Sequence, residues 1–265
     1  KLKFHTFSMQ QLTAHLRTTS LRHAYNHVYR MHNVTVSFRM ACNRAKRIIL
    51  VRHGESLGNV DERTYCEVAD WQIPLSDRGV KQARLTGQRL QQLLGKESVF
   101  FFVSPYLRTW QTLEAMLEQI EPDSVLGIQE DPRMAEQQFG NFQNFEQMRD
   151  SKMMRDKFGR FFYRFDDGES GLDVYQRVTG FVGTLFREMA QMRQQGHDLN
   201  DLNIVIVTHG LCLRLFLMRY FHYTVREFEE SDNPDNAAMV VMERHSNNKD
   251  EEWYELTKEA LLLLN

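Results

Sequence analysis

This sequence of 265 residues has no long apolar run and only three cysteines. No window offers the ~18 consecutive apolar residues that a membrane-spanning helix requires. Cys42, Cys66 and Cys212 are widely spaced and form neither a disulfide framework nor a zinc-binding pattern. We therefore predict a protein that does not cross a membrane and that works in a reducing compartment.

Acidic residues are absent from the start of the chain, where Glu55 is the first. Residues 1–47 carry nine Lys or Arg, whereas the remainder has 24 basic and 35 acidic residues. The sequence therefore predicts a basic N-terminal extension, residues 1–46, followed by an acidic domain, residues 47–265.

The basic extension also bears Ser and Thr, which is the composition of an organelle transit peptide. We expect a cytoplasmic protein, or an organellar one if residues 1–39 act as a transit peptide. A disordered tail, or upstream sequence preceding a true start at Met40, would give the same composition. No basic motif interleaved with aromatic residues follows, so no nucleic-acid partner is predicted. The sequence indicates no oligomer interface.

Short apolar strands alternate with helices after residue 47. The predicted strands are residues 48–51, 99–103, 204–208 and 237–243, with a further edge strand near residues 250–255. The predicted helices are residues 76–95, 104–120, 169–196 and 209–223. This alternation predicts a three-layer α/β/α sandwich with a mostly parallel central sheet. In such sheets ligands bind beyond the carboxyl ends of the strands.

Charged or titratable side chains follow three of these strands. Arg52 and His53 follow the first, His209 and Gly210 follow the third, and Arg108 lies shortly after the second. Neighbouring parallel strands would bring them to one edge, where guanidiniums suit a phosphoryl dianion and a neutral imidazole can attack phosphorus. Glycine beside a histidine lets the backbone approach a ligand. The pattern favours a phosphate site over structural histidines and salt-bridge arginines.

The segment LVRHGES, residues 50–56, resembles the opening motif of the histidine phosphatase superfamily, whose type member is phosphoglycerate mutase. PLSDRGVKQA, SPYLRTWQT, AEQQFGNFQ, DGES and VIVTHG continue the resemblance in the family's order, over residues 47 to about 245. The resemblance implies a phosphoglycerate mutase-like fold. It also implies phosphoryl transfer to a histidine, without a metal or an organic cofactor. The later segments look like a eukaryotic phosphoglycerate-mutase-like subgroup, described mostly as phosphatases.

The resemblance also implies roles for individual residues. His53 matches the nucleophile that becomes phosphohistidine, and Glu136 falls where the family carries its general acid. The residues that match phosphate-binding groups are Arg52, Asn59, Arg108 and His209, with Gly210 beside the last.

The family contains both phosphatases and mutases, the latter being isomerases. Cofactor-dependent mutases carry a Tyr-Gly turn, an LxGxNK segment and paired arginines. Here the turn is FGNFQNFEQM, residues 139–148, with no matching Lys or arginine pair. This favours a phosphomonoester hydrolase that acts on a small phosphorylated metabolite. A phosphoglycerate mutase-type phosphotransferase and a non-catalytic phospho-ligand binding protein are the alternatives.

Residues 141–165, rich in Phe, Arg and Lys, lie where the family has its variable insert above the pocket. The sequence allows two interpretations of this segment. It could be a lid that selects an aromatic or phosphorylated substrate. It could instead be a helix whose Phe residues pack onto the body, which we favour slightly.

Overall fold

The computed structural model describes residues 44–141, 144–247 and 251–264, and the elements below are numbered along these residues. All but the last three residues of the predicted basic extension lie outside them. The predictions that this extension is a separate segment and that it targets an organelle therefore remain predictions.

Six strands form one sheet in the described part of the chain. They are β1 (Arg47–Arg52), β2 (Ser98–Val103), β3 (Val125–Glu130), β4 (Leu202–Thr208), β5 (Met239–Ser246) and β6 (Glu252–Leu256). The order is β3-β2-β4-β1-β5-β6. The first four strands run parallel, β5 runs antiparallel to β1, and β6 runs antiparallel to β5. The predicted mostly parallel sheet is confirmed, and β6 is the predicted edge strand. β3 has no counterpart among the strands predicted from the sequence.

Helices connect these strands. They are α1 (Leu57–Val60), α2 (Thr64–Glu67), α3 (Asp77–Leu94), α4 (Leu107–Leu117), α5 (Phe145–Phe158), α6 (Gly171–Gln194), α7 (Gly210–Phe221), α8 (Val225–Glu230) and α9 (Lys258–Leu262). Within the described ranges, no helix combines the length and the apolar character needed to span a bilayer.

The predicted end points of α3 are confirmed, and the predicted start of α4 is wrong. Ser76 caps α3 by accepting a hydrogen bond from the Gly79 N–H, and Gly95 ends the helix with a φ of 60°. The helix α4 begins at Leu107 rather than Ser104, and Tyr106 is its N-cap with extended backbone. Ser104 precedes a proline, which disfavours helical backbone at that position. The three residues before α4 therefore form a connection at the end of β2.

The sheet separates two apolar cores, which confirms the three-layer sandwich. In β1, Ile48 and Leu50 pack into the core that contains α6 and α7, whereas Ile49 and Val51 pack into the core with α3 and α4. Every residue of β4, which lies between β1 and β2, is buried. Strands covered on both faces are apolar throughout, which accounts for the continuous apolar runs in the sequence.

Candidate active site

The register of three neighbouring strands brings their carboxyl ends to one point. Arg52 in β1 lies opposite Thr208 in β4, and Val103 in β2 lies opposite Val207. Backbone hydrogen bonds continue this pairing one residue further, from the His53 N–H to Thr208 O at 2.9 Å and from the Ser104 N–H to Val207 O at 3.0 Å. His53, Ser104 and His209 therefore lie side by side at the sheet edge, as the sequence predicted for the two histidines.

His53 is buried with its two ring nitrogens in different surroundings. Its Nδ1 lies 2.7 Å from the carbonyl oxygen of Gly54. A carbonyl can only accept, so Nδ1 carries the proton and the lone pair is on Nε2. Burial, reinforced by the positive charges of Arg108 and Arg52, holds the pKa of His53 well below its usual range. The imidazole is therefore neutral at physiological pH, the form in which it can act as a nucleophile.

Arg108 is held rigidly in the pocket wall, with only 1% of its surface exposed. One terminal nitrogen donates to the backbone oxygen of Asp70 at 2.7 Å and to its carboxylate at 2.8 Å. The guanidinium also lies over the Tyr106 ring, 4.8 Å from the centroid. Its Nε is buried and has no hydrogen-bond partner among the described residues.

Arg52 carries a second guanidinium, and not all of its nitrogens have hydrogen-bond partners. One terminal nitrogen donates to the carbonyl oxygen of Pro234 at 2.6 Å, and the buried Nε has no partner within the described ranges. Burial lowers the pKa of Arg52, and the charge of Arg108 acts in the same direction. A buried donor without an acceptor is costly. An anion between the two guanidiniums would relieve both the lost hydrogen bonds and the repulsion.

His209 packs against His53 and is oriented by Ser104. The two imidazole centroids are 5.2 Å apart in an edge-to-face arrangement. Nε2 of His209 lies 2.8 Å from Ser104 Oγ, and the Tyr106 N–H donates to the same oxygen at 3.5 Å. The serine hydroxyl proton is therefore available to Nε2, which places the ring proton of His209 on Nδ1. Nδ1 is buried without a partner among the described residues and lies 3.9 Å from Glu136 Oε2.

Replacing the orienting hydroxyl should weaken catalysis without unfolding the protein. In Ser104→Ala, Nε2 of His209 loses its hydrogen-bond partner, so the tautomer with the proton on Nε2 becomes populated. In that tautomer Nδ1 no longer offers a hydrogen-bond donor to the pocket. We expect a fall in kcat/KM of roughly 3- to 30-fold, the value of one hydrogen bond. Imidazole ¹⁵N shifts of His209 would report the tautomer.

Ser124→Ala is the matched control for that variant. Ser124 is also buried, and its hydroxyl donates to the Glu121 backbone oxygen at 2.7 Å rather than to a pocket residue. This control should keep both the wild-type rate and the wild-type ¹⁵N shifts. Unchanged shifts in Ser104→Ala would contradict the assigned orientation of His209.

The Glu136 carboxyl group completes the polar set that faces the two histidines. One oxygen accepts from the Gln137 N–H at 3.0 Å, and the other faces His209. Burial raises the pKa of Glu136, although the positive charge of Arg108 opposes this. Glu136 therefore holds a proton to a higher pH than an ordinary surface carboxylate does.

Arg177, from α6, fixes the backbone that carries Glu136. Its terminal nitrogens donate to the carbonyl oxygens of Arg133 at 2.6 Å, Ala135 at 2.8 Å and Glu136 at 2.9 Å. The same guanidinium forms a bidentate pair with Glu169, with both distances 3.0 Å. One half-buried arginine thus holds the loop that presents the carboxyl group.

Asn59 and Gly210 contact this site less directly than the sequence suggested. The Asn59 side-chain oxygen accepts from the Ser56 N–H at 3.1 Å and from the Asn236 amide at 3.2 Å, and Asn236 also donates to His53 O. Among the described residues, no hydrogen bond joins Asn59 to a histidine or an arginine of the pocket. Gly210 is the first residue of α7, where a Cβ would lie 2.6 Å from Cγ of Asn233. The phosphate-binding roles of Asn59 and Gly210 remain predictions.

Close contacts hold the two residues that follow His53 against the start of α3. A Cβ at Gly54 would lie 2.5 Å from the carbonyl oxygen of Gly79, so this contact requires glycine. Glu55, next in the chain, accepts from Ser76 Oγ at 2.8 Å and pairs with Arg78 at 3.1 Å. Glu55 therefore anchors the loop that follows His53 to the start of α3.

Several residues that contact the site were not found from the sequence. They are Asp70, Ser104, Tyr106, Arg177 and Asn236. Three of them, Ser104, Tyr106 and Arg177, lie in or beside segments that carry the family resemblance and could have been found from it. The other two, Asp70 and Asn236, lie outside those segments. In the described ranges, no group of three or more His, Cys, Asp and Glu side chains is placed to hold a metal ion. The prediction that the chemistry needs no metal stays a prediction.

A family model decides what this arrangement belongs to. The model of the histidine phosphatase superfamily, branch 1, matches residues 48–257. The chain belongs to the histidine phosphatase superfamily. The superfamily predicted from the sequence motifs is thereby confirmed.

Curated relatives cover most of this histidine phosphatase chain. Phosphoglycerate mutase-like protein AT74H of Arabidopsis thaliana is 45% identical over 207 residues, which is 75% of this chain and 74% of the relative. Phosphoglycerate mutase-like protein AT74 of the same plant is 46% identical, and the chain spans 65% of its length. Broad-range acid phosphatase DET1 of Saccharomyces cerevisiae is 27% identical over 289 residues, 76% of this chain and 86% of the relative.

Solved structures show the same fold. A mycobacterial glucosyl-3-phosphoglycerate phosphatase in complex with VO3 has a TM-score of 0.61 at 20% identity, covering 80% of this chain and 97% of that one. Bacillus stearothermophilus YhfR has a TM-score of 0.62 at 21% identity, covering 82% and 97%. The sheet and helices of this chain therefore form the histidine phosphatase fold.

Proposed function

We propose that this protein is a phosphomonoester hydrolase that acts through a phosphohistidine on a small phosphorylated metabolite. The observation that carries the proposal is the state of His53, a neutral buried imidazole whose Nδ1 is fixed by Gly54 O at 2.7 Å. This leaves Nε2 as the nucleophilic atom beside two guanidiniums.

In the first step Nε2 of His53 attacks phosphorus. An N–P bond forms, the ester P–O bond breaks, and its electron pair stays on the leaving oxygen. Arg52 and Arg108 stabilise the phosphoryl charge, a role supported by the buried Nε that each keeps without a partner among the described residues. Groups held in place before the reaction stabilise developing charge at little reorganisation cost. The Nδ1–H of His209 supports the same anion.

Glu136 supplies the proton that the leaving oxygen needs. Its pKa is raised by burial, so the acid form is populated above the pH at which a surface carboxyl ionises. In the second step a water molecule attacks phosphorus and the N–P bond breaks. The electron pair returns to His53, and the Glu136 carboxylate takes the proton of the water. Inorganic phosphate leaves, and the starting state is restored.

The directions of these two pKa shifts favour activity on the acid side of neutrality. The depressed pKa of His53 keeps the nucleophile neutral as the pH falls, while the raised pKa of Glu136 increases the fraction of acid. The name of the yeast relative, a broad-range acid phosphatase, agrees with this expectation. The mycobacterial structural neighbour is also named as a phosphatase.

The competing function is that of a mutase, which two plant relatives carry in their names as mutase-like. A mutase protects its phosphohistidine from water and needs a bisphosphorylated primer, whereas a hydrolase discharges it to water. We expect release of inorganic phosphate from small phosphomonoesters without 2,3-bisphosphoglycerate, fastest below neutral pH. A phosphate-release assay over many phosphorylated metabolites, with phosphoglycerates included, measures this.

Two outcomes would contradict the proposed hydrolase. One is primer-dependent interconversion of 2- and 3-phosphoglycerate with negligible phosphate release, which would establish a mutase. The other is tight binding of phosphorylated ligands with neither turnover nor a trapped phosphohistidine, which would establish a binding protein.

A further inference from the structure

The helix α5, inside the segment that the sequence marked as a lid or a packed helix, turns two cations toward the body of the domain. Lys152 and Arg155 are three residues apart and therefore lie on one face. Their side chains are 19% and 17% exposed, whereas that of Arg149 on the same helix is 60% exposed. Long cations are usually solvated, so the burial of these two needs an explanation.

A row of aromatic rings lies beneath these cations. The Tyr65 and Phe139 centroids are 6.5 Å apart, and those of Phe139 and Phe165 are 5.1 Å apart. The Lys152 ammonium lies 5.2 Å from the Tyr65 centroid and 5.9 Å from that of Phe139. The Arg155 guanidinium lies 5.6 Å from the Phe165 centroid. Contact with ring faces holds both cations in place.

The row starts at the phosphate pocket. Tyr65 is close enough to Arg108 and Glu136 for both charges to act on its hydroxyl. Glu136 also acts on Arg155, where its negative charge raises the pKa against the larger effect of burial. Arg155 therefore borders the site that contains Glu136, and Lys152 lies on the same face of α5 as Arg155.

The charge of this pair is only partly balanced within the described part of the chain. Lys152 pairs with Glu62 at 2.8 Å, but Glu62 is half exposed. Arg155 lies 3.5 Å from Asp156, which it shares with Arg160 at 3.4 Å. Nε of Arg155 is buried and has no hydrogen-bond partner among these residues. Exposed ion pairs are weak, so both cations can exchange these partners for a ligand.

We propose that Lys152 and Arg155 form a second anion-binding subsite, which takes a carboxylate or phosphate at the far end of the substrate. The phosphoryl group is bound at His53, and the organic part of the substrate lies along Tyr65 and Phe139. This inference rests on the proposed function. It narrows the substrate class to phosphomonoesters that carry a second negative group.

Matched substrates test the subsite directly. A series of ω-carboxyalkyl phosphates with two to five methylene groups is compared with the corresponding ω-carboxamides, which differ by a single charge. One chain length should show a preference of ~10- to 100-fold in kcat/KM for the carboxylate, the value of a charge-assisted hydrogen bond. The analogous bisphosphates show whether a phosphate serves better than a carboxylate. The preference should shrink as ionic strength rises.

Variants assign that preference to these residues. In Lys152→Met and Arg155→Met the carboxylate-to-amide ratio should fall toward one, and Arg155→Lys should keep part of it. Arg149→Met removes an exposed cation from the same helix and should leave the ratio and the thermal unfolding midpoint unchanged. Unfolding midpoints of the Lys152 and Arg155 variants separate a lost ligand contact from a lost structural one.

Each outcome bears on one proposal. Hydrolysis of both ester types with no preference at any chain length overturns the subsite and leaves the hydrolase standing. A preference that survives in both Met variants, or Met variants that lower the unfolding midpoint while the ratio is kept, also overturns it. If the wild type hydrolyses no ester, or if His53→Ala still turns over, the proposed function itself fails.

Discussion

His53→Ala is expected to lose at least ~10³-fold in turnover of any phosphomonoester, because the variant lacks the proposed covalent nucleophile. His53 lies within the LVRHGES motif, and its Nε2 is the atom left free when Nδ1 donates to Gly54 O at 2.7 Å. No other imidazole of the described site has a nitrogen so placed, since Nε2 of His209 is bonded to Ser104. The alanine variant should also fail to form phosphohistidine, which an alkaline quench followed by mass spectrometry detects.

His245→Ala serves as the control for that experiment. His245 lies in β5, half exposed, and stacks on Trp253 at 6.1 Å between centroids. Its replacement should leave turnover at the wild-type value. Near-normal rates with a generic phosphoester in His53→Ala would overturn the assignment of the nucleophile.

Glu136→Gln is expected to slow alkyl phosphates by ~10²- to 10³-fold while slowing aryl phosphates by less than ~10-fold. Alkoxides are poor leaving groups and need a proton, whereas phenolates leave without one. Glutamine keeps the size and the hydrogen bond from the Gln137 N–H but has no proton to give. A plot of log kcat/KM against the pKa of the leaving alcohol should therefore become steeper in the variant.

The pH profile gives a second measurement of the same variant. With alkyl phosphates the wild-type rate should fall as the pH rises through the pKa of Glu136, because the acid form is lost. Burial raises that pKa, so the fall lies at higher pH than for an ordinary carboxyl group. Glu136→Gln should not show this fall in rate at high pH. Glu118 is an exposed carboxylate paired with Arg84, and the control variant Glu118→Gln should still show the fall. Equal losses for alkyl and aryl esters would remove Glu136 from the role of acid.

The sequence of residues 141–165 predicted a helix correctly but did not predict which of its side chains are buried. The expected helix is present as α5, but it ends at Phe158, so the buried Phe161 and Phe165 lie beyond it and are not Phe residues of a packed helix. Phe158 and Phe162 are 61% and 64% exposed, so the Phe content alone was a poor guide to packing. The rotation of α5 about its own axis decides which of its cations face the pocket. The sequence of α5 has no clear apolar stripe from which that rotation could be predicted.

The sequence by itself determined the alternation of strands and helices and the placement of His53, Arg52 and His209 at strand ends. These features are local: apolar runs of strand length, a Ser cap, a Gly stop and a charged residue directly after each run. The carboxyl ends of neighbouring parallel strands meet at one edge, so a shared pocket was predicted on the condition that these strands are neighbours.

Only the tertiary structure decided which residues contact and orient the side chains of that pocket. The strand order β2-β4-β1 sets Ser104 against His209, and chain folding brings Asp70 to Arg108 and Arg177 to the backbone of Glu136. Each of these contacts joins residues at least 38 positions apart in the chain. No local pattern encodes such pairs. They form because buried donors and acceptors must find partners once the two cores have closed around the sheet.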